Sequence, residues 1–331
     1  MAADDHAIVV GINSYSSTSL RNLEGAVNDA RATVEWLSDP VGGDVPLEQI
    51  QTVTSAEYPG EPRPVAADIH RAFENLIDLG DQRSPERLGK RLYVFMSGHG
   101  FGPSVREAAL LMANAGPKRW GHNVCGGAVA DHFAAEGLFE EIFLVMDCCR
   151  DSLSQVWASL LPWHSDSDAS GRPATTRWIY GFATGFNSRT REIEIDGETR
   201  GVFNTAVLEA LRSGVQNWET LTTLVGARIV ELLGPDESRK PFFQPGPEKL
   251  EVGSAAVKPK LRISVTGTPG KPTTICVGPG QGEVREEETL ESGQVWEVDL
   301  ESGLWEIFYE GLDESVRVKL TMGTQDVTIE V

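Results

Sequence analysis

Two neighbouring thiols, Cys148 and Cys149, close an apolar run, Glu141-Ile-Phe-Leu-Val-Met-Asp-Cys-Cys-Arg-Asp-Ser152. An imidazole, His99, sits in a glycine-flanked turn after another, Arg91-Leu-Tyr-Val-Phe-Met96 followed by Ser97-Gly-His-Gly100. A thiolate is a strong nucleophile, and an imidazole within hydrogen-bond reach can take its proton. Backbone N–H groups aimed at a developing oxyanion complete the equipment for cleaving an amide through a thioester. Gly98 and Gly100 let the backbone come close to a bound chain. The other two cysteines, Cys125 and Cys276, read as packing residues. Neither Cys-x-x-Cys spacing nor a His-x(3–5)-His pattern supports zinc, and adjacent cysteines lack the usual reductase motif.

The thiols and His99 lie far apart in sequence, so the fold must bring them together. Both apolar runs read as strands buried on two faces, as in a parallel sheet, whose carboxyl ends carry chemistry in open α/β folds. Ala7-Ile-Val-Val-Gly-Ile-Asn13 and Trp178-Ile-Tyr-Gly-Phe-Ala183 read as further strands. Leu23, Val27, Ala30, Val34 and Leu37 recur at helical spacing over 20–37, and Ile69, Phe73 and Leu76 over 66–79, which Gly80 ends. Helices are also expected over 124–135, 203–211 and 218–233, and Ala109–Met112 as strand or extended chain. The connection after Gly43, the stretch 165–176 and the charged stretch after Ala183 through Gly201 read as loops. Strand–helix alternation predicts a three-layer α/β domain over 1–253 with a mostly parallel sheet. From 258 to 331, short alternating runs separated by Gly, Pro and Asp predict a small antiparallel β-sandwich.

The chain has 331 residues, 40% of them hydrophobic, enough for one large core and a small second one. A formal charge of -20 repels nucleic acid and anionic membranes, so neither is expected as a partner, whereas basic polypeptide segments are favoured. No signal-peptide pattern opens the chain, and no apolar run nears the roughly 20 residues that span a bilayer. A cytoplasmic protein with reduced thiols is expected.

Several motifs, in order over about residues 5–250, resemble the caspase/metacaspase family of cysteine endopeptidases. They are Ala7-Ile-Val-Val-Gly-Ile-Asn-Ser-Tyr15 with Leu20 and Ala26-Val-Asn-Asp-Ala30, then Tyr93-Val-Phe-Met-Ser-Gly-His-Gly100, Asp147-Cys-Cys-Arg150 and Gly201-Val-Phe-Asn-Thr-Ala-Val-Leu-Glu-Ala-Leu211. His99 precedes Cys149 by the caspase-type interval of about 50 residues. The resemblance implies a caspase-like fold, Cys149 as nucleophile two residues after Asp147, and His99 as general acid/base. It implies an oxyanion hole from the backbone N–H groups of Gly100 and Cys149. It also implies a pocket for the residue before the scissile bond, P1, lined by Asp29, Ser97 and Asp147. Two carboxylates there would select Arg or Lys. Cys149-Arg-Asp-Ser152 departs from the Cys-His-Ser-Gly usual in metacaspases and is closer to the Cys-Arg of caspases.

Cys148 is expected in the core by strand alternation, and Arg150 in an internal ion pair. With a basic P1, Arg172, Arg177, Arg189 and Arg191 are exposed candidate sites of self- or trans-processing, and the family resemblance is compatible with activation in a stress or defence pathway. No cofactor is expected. Some metacaspases need calcium, but the acidic runs Asp166/Asp168 and Glu286–Glu288 lack an EF-hand pattern and read as solvated. The C-terminal β domain would position a protein partner or substrate. The alternative is a catalytically silent or zymogen-like interaction module on the same fold.

Overall fold

The computed structural model describes residues 4–151, 158–164, 171–173, 175–215, 217–235, 240–248, 250, 260–266, 272–279, 283–300, 303–309, 315–320 and 324–330. By its contacts the chain divides into two compact units, Met1–Leu208 with Val225–Leu250, and Glu209–Leu224 with Glu251–Val331.

The first unit is built on a six-stranded sheet. Its strands are β1 (His6–Gly11), β2 (Ile50–Thr54), β3 (Gly89–Ser97), β7 (Phe139–Asp147), β8 (Arg177–Phe182) and β11 (Phe242–Pro245). Their order is β11-β8-β7-β3-β1-β2, all neighbours parallel except β11 against β8. Between β3 and β7 the chain makes a small antiparallel sheet of β4 (Gly100–Ser104), β5 (Glu107–Leu111) and β6 (Asn123–Cys125). The helices of this part are α1 (Ala26–Ser38), α2 (Ala66–Arg83) and α3 (Gly126–Ala135), and α4 (Val202–Arg212) and α5 (Trp218–Leu233) follow later.

Side-chain alternation decides which face each helix covers. Ile8 and Val10, Leu92, Val94 and Met96, and Ile142, Leu144 and Met146 share one core with Ile69 and Phe73 of α2 and Val129 and Phe133 of α3. The intervening residues face the other way, where Trp36 of α1 packs on Tyr93 and Phe95 with ring centroids 5.8 and 6.4 Å apart. Ser97 and Asp147 fall in phase with Phe95 and Val145, so they belong to the α1 face. This parity places the acidic part of the site.

The expected strands and helices of this unit are present, with informative shifts. Helix α1 begins only at Ala26, where Asn13 Oδ1 accepts from the first-turn N–H of Val27 and Asn13 Nδ2–H donates to the Glu24 carbonyl. Gly80 lies inside α2, which runs on to Arg83. A Cβ there would collide with Leu138, so this glycine marks a close helix contact, not a helix end. The polar connection contains edge strand β2, with one buried residue in five, too little alternation to read. The charged stretch after Ala183 holds a hairpin, β9 (Glu192–Ile195) paired with β10 (Glu198–Gly201), turning at Asp196-Gly197, both with positive φ.

The second unit has two sheets. One is β15 (Val295–Asp299), β12 (Lys260–Thr266) and β18 (Thr324–Glu330); the other is β14 (Glu286–Leu290), β13 (Thr273–Gly278), β16 (Gly303–Tyr309) and β17 (Val316–Leu320). Leu261, Ile263, Ile275, Val277, Ile307 and Leu320 form its core. The pairing of β12 with β18 is parallel, so this unit is not the purely antiparallel sandwich expected. Glu286–Glu288 lie on edge strand β14 with exposed side chains. The domain boundary at 253–258, the acids Asp166 and Asp168, and most of the 165–176 stretch lie outside the described residues.

Candidate active site

The carboxyl ends of β1, β3 and β7 stop in one row, Gly11 beside Ser97 and Ser97 beside Asp147. The turns beyond them open a cleft of about 650 Å³. Its lining includes His99 and Cys149, together with Asp29, Ser97, Asp147 and Gly201. The thiol and imidazole, 50 positions apart in sequence, therefore share one cavity.

Cys148 and Cys149 separate as alternation requires. Cys148 is fully buried in the α2/α3-face core, while Cys149 is half-buried and lines the cleft. Cys148 also explains Gly100: a Cβ at Gly100 would lie 2.6 Å from its Sγ. The glycine lets the turn carrying Gly100 N–H pack directly on the strand end that carries the thiols.

His99 is held on three sides. Its backbone N–H donates to Tyr15 Oη at 2.7 Å, and its ring lies on the Tyr15 ring, centroids 4.7 Å apart. Nε2–H donates to the Arg21 carbonyl at 2.8 Å. A carbonyl only accepts, so Nε2 carries the proton and Nδ1 is the basic nitrogen. Burial lowers the His99 pKa below its ordinary value, with the Arg21 carbonyl opposing. Burial also raises the Cys149 pKa, opposed by the Thr190 backbone. Both shifts favour a neutral thiol and neutral imidazole at rest.

Below them lies an acidic pair. Asp29 and Asp147 are 1% and 4% exposed. Ser97 Oγ donates to Asp29 Oδ2 at 2.9 Å, and Gly201 N–H reaches both Asp29 oxygens at 3.0 and 3.2 Å. Thr190 Oγ1 donates to Asp147 Oδ1, and Asn204 N–H to Oδ2, each at 2.8 Å. Burial, and then the charge of Asp147, push Asp29 up to about 8. Burial pushes Asp147 up to about 6, against the bonds from Asn204 and Thr190. Burial and mutual repulsion thus favour a protonated form of the pair, from which an incoming cation can displace a proton. Arg200 Nε stands 3.8 Å from Asp29 Oδ1. A Cβ at Gly201 would run into carboxylate oxygens of both acids, so the wall between them must be glycine.

Among the described residues Arg150, next to Cys149, makes no internal ion pair of the kind expected. Its guanidinium donates to the carbonyls of Glu107, Thr184, Ser104 and Val105 and lies over the rings of Phe182 and Phe242. It ties the strand end of the nucleophile to the β4–β5 turn and to the end of β8.

Two of the four candidate processing sites are not on exposed loops. Arg172 is buried, donating to the carbonyls of Gly80 and Glu86. Arg177 begins β8 and pairs with the buried carboxylate of Glu141. Arg189 and Arg191 are exposed and line the cleft; Arg189 pairs with Asp151.

The sequence alone does not single out Tyr15, Arg21, Thr190, Gly201 and Asn204 as parts of the site. Tyr15 has a signal: it follows β1 on the edge that carries His99. The carbonyl of Arg21 and the N–H of Asn204 act through the backbone, which residue type does not reveal. Among the described residues no group of three or more His, Cys, Asp or Glu is placed to hold a metal ion, and no helix is long and apolar enough to cross a membrane.

No protein-family model matches the chain. It is 24% identical over 323 aligned residues to a Desulfuromonadales bacterium protein described as a probable protease, an alignment covering 85% of this chain. The chain spans only 38% of that relative's length. Among solved structures it is similar to caspase-1 from Spodoptera frugiperda, with 14% identity and a TM-score of 0.44, over 73% of this chain and 88% of that one. It is also similar to pro-sf-caspase-1, with 14% identity and a TM-score of 0.45, over 76% and 92% of the two chains.

Proposed function

We propose that this protein is a caspase-like cysteine endopeptidase that cuts polypeptides after Arg or Lys. One observation carries the reading: a single cleft is lined by Cys149, by His99 with its basic nitrogen defined, and by the buried Asp29–Asp147 pair. The P1 guanidinium or ammonium enters the acidic end and favours the ionised pair, gaining charge-assisted hydrogen bonds. As Cys149 Sγ attacks the scissile carbonyl, its proton passes to His99 Nδ1, and the oxyanion takes N–H donors at Gly100 and Cys149. Imidazolium formed in this step is stabilised by its Nε2–H bond to the Arg21 carbonyl. The tetrahedral adduct collapses to a thioester while His99 protonates the leaving amine. Water, deprotonated by His99, then hydrolyses the thioester and restores the thiol.

Because both groups rest neutral, proton transfer accompanies attack and no preformed ion pair is needed. The test is a fluorogenic peptide series differing only at P1. Arg and Lys substrates should be cleaved, Asp should not, and Cys149→Ala should abolish turnover. Equal cleavage of an Asp substrate would remove the acidic-pocket assignment. Full activity in Cys149→Ala would remove the nucleophile assignment, whereas no cleavage of any peptide by the wild type would favour a silent interaction module.

A further inference from the structure

The cleft has a second end that the reaction above does not use. Leu20, Leu23 and Trp120 line it, beside the buried Leu111. These side chains lie on the opposite side of the sheet edge from the acids. Leu20, Leu23 and Trp120 pack, partly buried, against the α2/α3-face core, to which Leu111 itself belongs. Asp29 comes from α1, and Ser97 and Asp147 project to the α1 face. The cleft therefore runs across the sheet edge, from carboxylates on one face to an apolar wall on the other.

His99 stands at the apolar side of this crossing. Its Nε2–H is bonded to Arg21, between Leu20 and Leu23 in sequence, and its carbonyl accepts from Leu111 N–H at 2.8 Å. The general acid must reach the leaving nitrogen, so the leaving half of the peptide lies on the imidazole's side of the scissile bond. A chain with its P1 cation among the acids must then lead its next residue past His99 towards the three apolar side chains.

Resting on the peptidase reading, we propose that Leu20, Leu23 and Trp120 form a subsite for a large aliphatic or aromatic residue immediately after the scissile bond, at P1′. The preferred cut is thus between a basic residue and an apolar one. Burying an apolar side chain against this wall removes both surfaces from water, which a Gly or Asp at P1′ cannot do. Hydrophobic subsites discriminate by about tenfold or more per missing group.

Two measurements on the full chain test the subsite. Internally quenched peptides of one sequence with P1 Arg, and Leu, Phe, Gly or Asp at P1′, should show kcat/KM at least about tenfold higher for Leu and Phe than for Gly. In parallel, acyl-enzyme formed from an Arg ester should partition to leucinamide over glycinamide with the same preference, which reads only the leaving side. Trp120→Ser and Leu23→Ser should each collapse the Leu-to-Gly ratio towards one; a ratio within one protein is insensitive to partial loss of folding. Cleavage of Arg fluorogenic peptides with a flat or reversed P1′ series overturns the subsite and leaves the peptidase reading intact. So does an apolar preference found instead at the residue before P1. No cleavage of any Arg peptide or ester overturns both.

Discussion

Replacing Asp29 with asparagine should make the protein less active and more stable at once. Asp29 is almost fully buried, and its pKa is raised from 3.8 to about 8, chiefly by loss of solvent and next by Asp147. An acid raised in the folded state holds its proton more tightly there than in the unfolded chain. Its contribution is therefore most favourable at low pH and is lost as pH climbs from about 4 to about 8. Each unit of that climb costs about 1.4 kcal/mol, so between pH 5 and pH 8 the carboxylate costs on the order of 4 kcal/mol as an upper figure. The amide of the Asp29→Asn variant keeps an oxygen for Ser97 Oγ and Gly201 N–H and has no charge to bury. Thermal unfolding followed at both pH values should show the variant melting higher at pH 8, by up to on the order of 10 °C, and gaining far less at pH 5. Cleavage of an Arg peptide should fall about a hundredfold or more, as when one partner of a buried charge pair is removed. Cleavage of the matching citrulline peptide, neutral at P1, should fall much less. Equal losses on both peptides, or a stability change that ignores pH, would refute the idea that Asp29 is a strained charge kept for cation binding.

Two further outcomes follow from the geometry. Tyr15→Phe keeps the ring beneath His99 but removes the oxygen that accepts its N–H. It should lower kcat about tenfold with little change in KM and displace the acid limb of the pH–rate profile, which the burial of His99 should place below the ordinary histidine value in the wild type. An unchanged limb and a lower melting temperature would instead mean that Tyr15 only packs. If the chain is processed, intact-mass measurement should find cuts after Arg189 or Arg191, both exposed at the cleft, and none after Arg172 or Arg177 in folded protein. Cuts at Arg172 that precede unfolding would contradict its burial.

What can be read in advance is whatever leaves a periodic trace. Strands β1, β3, β7 and β8 are long apolar runs, and alternation alone separates Cys148 from Cys149. The same alternation puts Ser97 and Asp147 on one face, but only the structure shows α1 covering that face with Asp29. Edge strand β2 and hairpin β9–β10 are too exposed to carry an apolar period. Arg172 misleads because a buried guanidinium satisfied by carbonyls looks in sequence like any surface arginine, and Arg150, expected inside, is held by backbone carbonyls that residue type does not reveal. Gly80 reads as a helix end because close packing on Leu138 has no local signature.

The burial of Arg172 and Arg150 has a bearing on how such a protein would live with copies of itself. A peptidase that reads arginine meets, in every neighbouring copy, a potential substrate of its own kind. Arg91, Arg150 and Arg172 are each under a tenth exposed, and Arg177 is pinned at a strand start by Glu141. A protease must engage several residues in extended form, so these bonds become available only when the unit opens. Self-digestion at them is then governed by the population of opened molecules. If the acidic pair binds a basic P1 residue as proposed, conditions that favour its ionisation would favour substrate binding and also weaken the fold that conceals these arginines. Activity and lifetime would be set in opposition by the same two carboxylates.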